Sequence, residues 1–159
     1  MIIINKITYN NPVISVSYGK YQKKRLGKVI KGESPIITLT LVEDRIRIRI
    51  ETTYDRNLFT KLNVGKQVDI SDSLSDISYE DKKGWISLVY GYHKCIVERI
   101  DKKTFNFKLN CIADECNENY NILVNENIDM KLDDEIKNIE EDIEWIKLIL
   151  KIYIQKDWI

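Results

Sequence analysis

The chain has 159 residues, 43% hydrophobic and 31% charged, with 25 basic and 25 acidic side chains that balance to zero formal charge. That length reads as a single domain, 1–159, able to bury about two thirds of its unfolded surface in one core, and the composition excludes extended disorder. No run reaches the roughly eighteen apolar residues of a membrane span; the opening MIIINKITY lacks a basic n-region and a long h-region.

Three cysteines, an odd number without disulfide-like spacing, point to a reduced, cytoplasmic chain. With 27 Ile against a single Ala, Ala113, the composition favours a pleated surface over a helical bundle.

In chain order, residues 2–9 and 13–18 read as two strands of a hairpin around the turn signal Asn10-Asn11-Pro12. Residues 19–32, GKYQKKRLGKVIKG, carry three glycines, few apolar anchors and dense positive charge, which predicts a surface loop.

Residues 36–52, IITLTLVEDRIRIRIET, predict their own pairing. Leu41 against Ile46, Leu39 against Ile48 and Ile37 against Ile50 put every large aliphatic on one face. Thr40 with Arg47 and Thr38 with Arg49 share the other. A one-residue slip would turn the aliphatic row into water, so the register is strongly specified, and residues 42–45 form the connection.

Residues 54–65 predict one short helical turn closed at Gly65, and residues 68–70 a short strand. Residues 71–83 are polar and aperiodic and read as a loop. A meander follows, with strands at 85–92, 94–100 and 105–112. Of two registers for the last pair, the one opposing Arg99 to Phe105, Val97 to Phe107 and Cys95 to Leu109 keeps more apolar contacts. Residues 114–119 form a turn, and 120–124 and 128–132 are weaker strands.

The C-terminal stretch predicts one long helix. Asp133 or Asp134 caps it, Lys147, Lys151 and Lys156 lie toward its negative end, and its apolar residues from Trp145 to Ile154 cover so wide an arc that two surfaces should pack on them. The second of these is the N-terminal hairpin or another chain, which makes a homodimer through this helix one expectation. The expected fold class is α+β: a mainly antiparallel sheet of about seven or eight strands, curled or two-layered, against the long C-terminal helix.

Charge is unevenly placed. Residues 1–32 hold seven basic groups and no acid, while residues 114–144 hold twelve acids against Lys131 and Lys137. Glu140, Glu141, Asp142 and Glu144 crowd about a turn and a half of the predicted helix, where like charges do not stabilise it. They are candidates for docking another, basic protein. At the other end, Lys23, Lys24 and Arg25 in the 20–31 segment, with Arg45, Arg47 and Arg49, are candidate anion or nucleic-acid contacts.

Two sets of residues suggest chemistry. Asp69, Glu80, Asp81 and Lys82 resemble the carboxylate-and-lysine sets that hold magnesium in nucleases. His93, Cys95, Cys111 and Cys116 have the ligand chemistry of zinc without its usual spacing, so they read as structural residues and no cofactor or metal is assigned. No phosphate loop, nucleophile elbow or zincin motif occurs. The leading expectation is a non-enzymatic protein-binding domain, concretely a small bacterial immunity-type inhibitor that neutralises a toxin by charge complementarity. The alternatives are a nucleic-acid-binding accessory protein and a metal-dependent nuclease.

Overall fold

The structure, a computed structural model, describes residues 1–131 and 146–151. Its described elements are the strands β1 (Ile2–Ile4), β2 (Ile7–Tyr9), β3 (Val13–Arg25), β4 (Lys28–Leu41), β5 (Ile46–Thr52), β6 (Gln67–Asp69), β7 (Leu74–Asp81), β8 (Gly84–Ser87), β9 (Tyr92–Arg99), β10 (Thr104–Glu115) and β11 (Glu118–Asp129), with a short helix, α1 (Arg56–Lys61), between β5 and β6, a 3-10 turn at Ser71–Ser73 and a helical segment at 146–151. They form two antiparallel sheets, a six-stranded one in the order β2-β1-β11-β10-β9-β6 and a five-stranded one in the order β3-β4-β5-β7-β8.

The self-pairing read from residues 36–52 is the register found: Ile37 opposes Ile50, Leu39 opposes Ile48 and Leu41 opposes Ile46, with the Thr-Arg pairs on the reverse face. Its aliphatic row is fully buried at Ile37, Leu39, Ile48 and Ile50. What covers that row is the other sheet, whose inward residues include Val97, Phe105, Phe107, Leu109, Ile122 and Val124. The 94–112 register is also as expected, with Arg99 opposite Phe105, Val97 opposite Phe107 and Cys95 opposite Leu109. Phe59 of α1 plugs one end of the sandwich, its ring 5.6 Å edge-on from Phe105. Asp55 caps α1 by accepting the Asn57 N–H.

The α+β expectation is corrected. The described residues are a two-sheet β-structure of eleven strands in which the second sheet occupies the place assigned to a helix. Residues 146–151 are helical, but they are six residues with every side chain exposed, and no described helix reaches seven residues. The remainder of the expected helix, 132–145 and 152–159, lies outside the described residues.

Three local readings change as well. The first hairpin closes at Asn5-Lys6, both with positive φ, and joins β1 to β2, whereas β3 crosses to the other sheet to pair with β4. The expected loop at 71–83 contains β7, which lies between β5 and β8. Residues 85–92 are not one strand. β8 ends at Ser87, and the chain turns through Leu88 and Gly91 to enter β9 in the opposite sheet.

Candidate nucleic-acid interface

The basic segment at 19–32 is ordered β-structure. β3 and β4 pair without interruption from Val13–Thr40 to Arg25–Lys28, but β5 pairs with β4 only from Ile36 onward. Pro35 stands immediately before that junction, and with no N–H to donate it cannot extend a ladder on both sides. Residues 19–34 therefore leave the sheet as a two-stranded ribbon that pairs with itself. Every side chain described between Gln22 and Lys31 is exposed.

The base of this arm is held to the body. The buried Arg56 reaches from α1 to place Nη1 2.7 Å from Glu33 of β4, and its guanidinium lies 4.3 Å from the centre of the Tyr18 ring. The Tyr18 hydroxyl accepts the backbone N–H of Lys131 at 2.8 Å. One ion pair, one stacking contact and one hydrogen bond converge where the ribbon emerges, fixing its direction. A groove of about 760 Å³ lined by Ile14, Val16, Tyr18, Glu33, Arg56 and Lys131 runs beside this base.

The ribbon carries six cations, Lys20, Lys23, Lys24, Arg25, Lys28 and Lys31, and one acid, Glu33, which lies opposite Lys20 and bridges Arg56. The strand period of two distributes them over both faces: Lys20, Lys24 and Lys31 share the face that continues the core side, and Lys28 belongs to the other. At six residues from base to tip the cationic line is about 20 Å long. The tip is the two-residue turn Leu26-Gly27, both with positive φ, the geometry whose twist matches a two-stranded ribbon.

The arginine row is on the outer face of the same sheet, and it is partly balanced. Arg47 lies 3.5 Å from Glu80 and Arg49 2.8 Å from Glu51, while Arg45 sits in the connecting turn with φ 55°. Arg45 and Arg47 line a shallow groove of about 620 Å³ with Glu80, Asp81 and Lys82. Its mixed charge gives an anion less purchase than the arm does.

The nuclease set is not brought together. Asp69 ends β6 in the six-stranded sheet, whereas Glu80 and Asp81 belong to β7 in the other. Asp69 accepts both the backbone N–H and the hydroxyl of Ser71, and these hydrogen bonds lower its pKa. Its role is to hold the turn into Ser71–Ser73. Among the described residues no group of three or more His, Cys, Asp or Glu could hold a metal ion.

His93 opposes Cys111 across β9 and β10, but its ring nitrogens face the carbonyls of Ser71, at 3.0 Å, and Gly91. Burial pushes the Cys95 thiol up to about 12 and the Cys111 thiol up to about 11. Without a metal, both are protonated at neutral pH and are weak nucleophiles. Cys116 is exposed in the far turn between β10 and β11. Glu140, Glu141, Asp142 and Glu144 lie outside the described residues.

Comparison with known proteins returns nothing: no protein family, no curated protein and no solved structure matches this chain. No described helix is long and apolar enough to cross a membrane.

Proposed function

We propose that this protein is a nucleic-acid-binding accessory domain whose basic β-arm, residues 19–34, tracks a groove of duplex DNA. The observation that carries the reading is the arm itself: six cations on a ribbon that pairs only with itself beyond Pro35 and whose described side chains from Gln22 to Lys31 are all exposed. A two-stranded ribbon is one of the two elements that a B-form groove admits. Lysines along both strands would meet the phosphates that flank it, each contact releasing counterions. The sandwich then acts as a rigid mount, and the Arg56–Glu33–Tyr18 cluster sets the angle of the arm. The three unbridged cysteines support a reducing, cytoplasmic setting.

The test is duplex retention at low salt with Lys24 and Lys28 both replaced by Gln. Both side chains are exposed, so the substitutions leave the fold unchanged. Loss of retention in the variant supports the arm; no retention by the native chain removes the reading.

A second reading, the immunity-type inhibitor that docks a basic protein through Glu140, Glu141, Asp142 and Glu144, draws support from one neighbouring feature. Ile146, Leu148, Ile149 and Leu150 are all about half exposed, an apolar helical segment beside the acidic run. Charge reversal at Glu140, Glu141 and Asp142 should abolish capture of the basic partner, and undiminished capture would count against that surface.

A further inference from the structure

We propose that Leu26, at the tip of the β-arm, is a wedge that enters between base pairs of duplex DNA and opens a base step. This inference rests on the arm's being a nucleic-acid element and specifies what its tip does there.

Leu26 breaks two local rules at once. It is 98% exposed, and its φ of 52° is in the left-handed region, where a Cβ-bearing residue other than Asn or Asp is disfavoured. A single exposed apolar residue ordinarily needs no explanation. Here the same position also takes the left-handed backbone of the ribbon turn, which Lys6, Arg45 and Cys116 take elsewhere, and Leu26 alone among them is an aliphatic side chain left almost wholly exposed. The other two-residue turns with positive φ at both positions show what local chemistry prefers: Asn5-Lys6 and Cys116-Asn117 each place an Asn in the turn. An exposed aliphatic at a turn position that Asn would occupy with less strain is the kind of local inconsistency found at functional sites.

The surroundings say which function. Lys24, Arg25 and Lys28 lie within two residues of Leu26 in sequence, so the apolar tip is flanked by cations along the chain. Val29, exposed at 54%, lies across from Lys24 and widens the apolar end. Apolar side chains set among cations are the devices by which groove-binding arms unstack and kink DNA.

An anionic lipid surface would also attract an apolar tip among cations. The distribution of charge argues against it. Lys20 and Lys31 lie about 15–20 Å back along the ribbon, beyond the screening length of about 8 Å at physiological salt for a surface touched by the tip alone. A groove occupied along the length of the ribbon engages all six cations; a bilayer touched by the tip leaves Lys20 and Lys31 unengaged.

The experiment uses the full chain and a duplex carrying 2-aminopurine, whose fluorescence rises when its step unstacks, with anisotropy of the same duplex reporting binding. Leu26→Asn suits the left-handed backbone, so it removes the wedge without harming the turn; Leu26→Met keeps an apolar tip. The expected result is a fluorescence rise with the native chain and with Leu26→Met. With Leu26→Asn, binding should stay within about threefold, because the phosphate contacts remain, and the rise should be lost. Duplex binding without a rise in the native chain, or a full rise with Leu26→Asn, would overturn the wedge while leaving the arm's DNA contact standing. Absence of duplex binding would overturn both, and Leu26-dependent binding to phosphatidylserine vesicles in its place would assign the tip to lipid.

Discussion

Replacing Arg99 by Met should lower stability more than any surface substitution, although among the described residues Arg99 forms no ion pair. Arg99 is only 9% exposed. Its Nη1 donates to the carbonyls of Thr60 at 3.0 Å and Leu62 at 2.8 Å, Nη2 to that of Lys102 at 2.6 Å, and Nε to that of Asp101 at 3.2 Å. One guanidinium therefore ties the end of α1 to the β9–β10 turn, while its plane lies 5.6 Å from the centre of the Phe105 ring. Met keeps most of the apolar volume and removes all four donors.

The Lys102 and Asp101 carbonyls belong to exposed residues, so water can take over there. The Thr60 and Leu62 carbonyls are less open, and a hydrogen bond from a charged donor is worth about 1.5–3 kcal/mol. Subtracting the relief of no longer desolvating the charge leaves a loss of about 2–3 kcal/mol. For a chain of this size that lowers Tm by roughly 5–10 °C. Thermal unfolding followed by circular dichroism, with urea titration to check that the m-value is unchanged, measures it. A Tm within about 2 °C of the native value would refute the reasoning, and Arg99→Lys should fall between the two because an ammonium lacks the fork.

Two further outcomes follow from the packing. At Gly91 a Cβ would come within 2.5 Å of the Ile112 carbonyl oxygen and 2.6 Å of the Ala113 Cβ, so Gly91→Ala should cost about 1–3 kcal/mol or more in urea denaturation; an unchanged midpoint would contradict the close approach of this turn to β10. With both core thiols held protonated by burial, a thiol reagent at neutral pH should label Cys116 alone in the native protein and all three cysteines after unfolding, by intact-mass measurement. Native labelling of Cys95 or Cys111 would contradict the packing.

The parts of the fold that were legible in the sequence are those where burial on one face imposes a period of two. Residues 36–52 alternate strictly in both halves, and only one register keeps Ile37, Leu39, Leu41, Ile46, Ile48 and Ile50 together. The β9–β10 register was legible for the same reason, through Val97, Phe107, Cys95 and Leu109.

Where both faces are equally wet or equally dry, the signal fails. Every described side chain of the arm from Gln22 to Lys31 is exposed, so no alternation marks it and its sequence reads as an aperiodic basic loop. Its signature was instead the Leu-Gly pair set centrally between basic runs of similar length. β7 is obscured for the opposite reason. Ile77, Ser78 and Tyr79 are consecutive and all buried, which erases alternation.

At the C-terminus, helical spacing shows which residues share a face but not what covers them. The inner surface expected to receive that helix is instead filled by β9, β10 and β11. The site residues follow the same division. Arg47 and Arg49 share the strand face that the hairpin register gives them, while Arg45 lies in the turn; the balancing of Arg47 by Glu80 depends on the pairing of β5 with β7, which residues 71–83 did not reveal.

The salt dependence of duplex binding tests the central claim most directly. If the six arm cations each neutralise a phosphate, log K against log salt, measured by anisotropy between about 50 and 200 mM, should have a slope near −5, and replacing Lys24 and Lys28 by Gln should make it shallower by about 2. Binding that is salt-independent, or whose slope is unaltered in the double variant, would contradict the assignment of DNA contact to the arm.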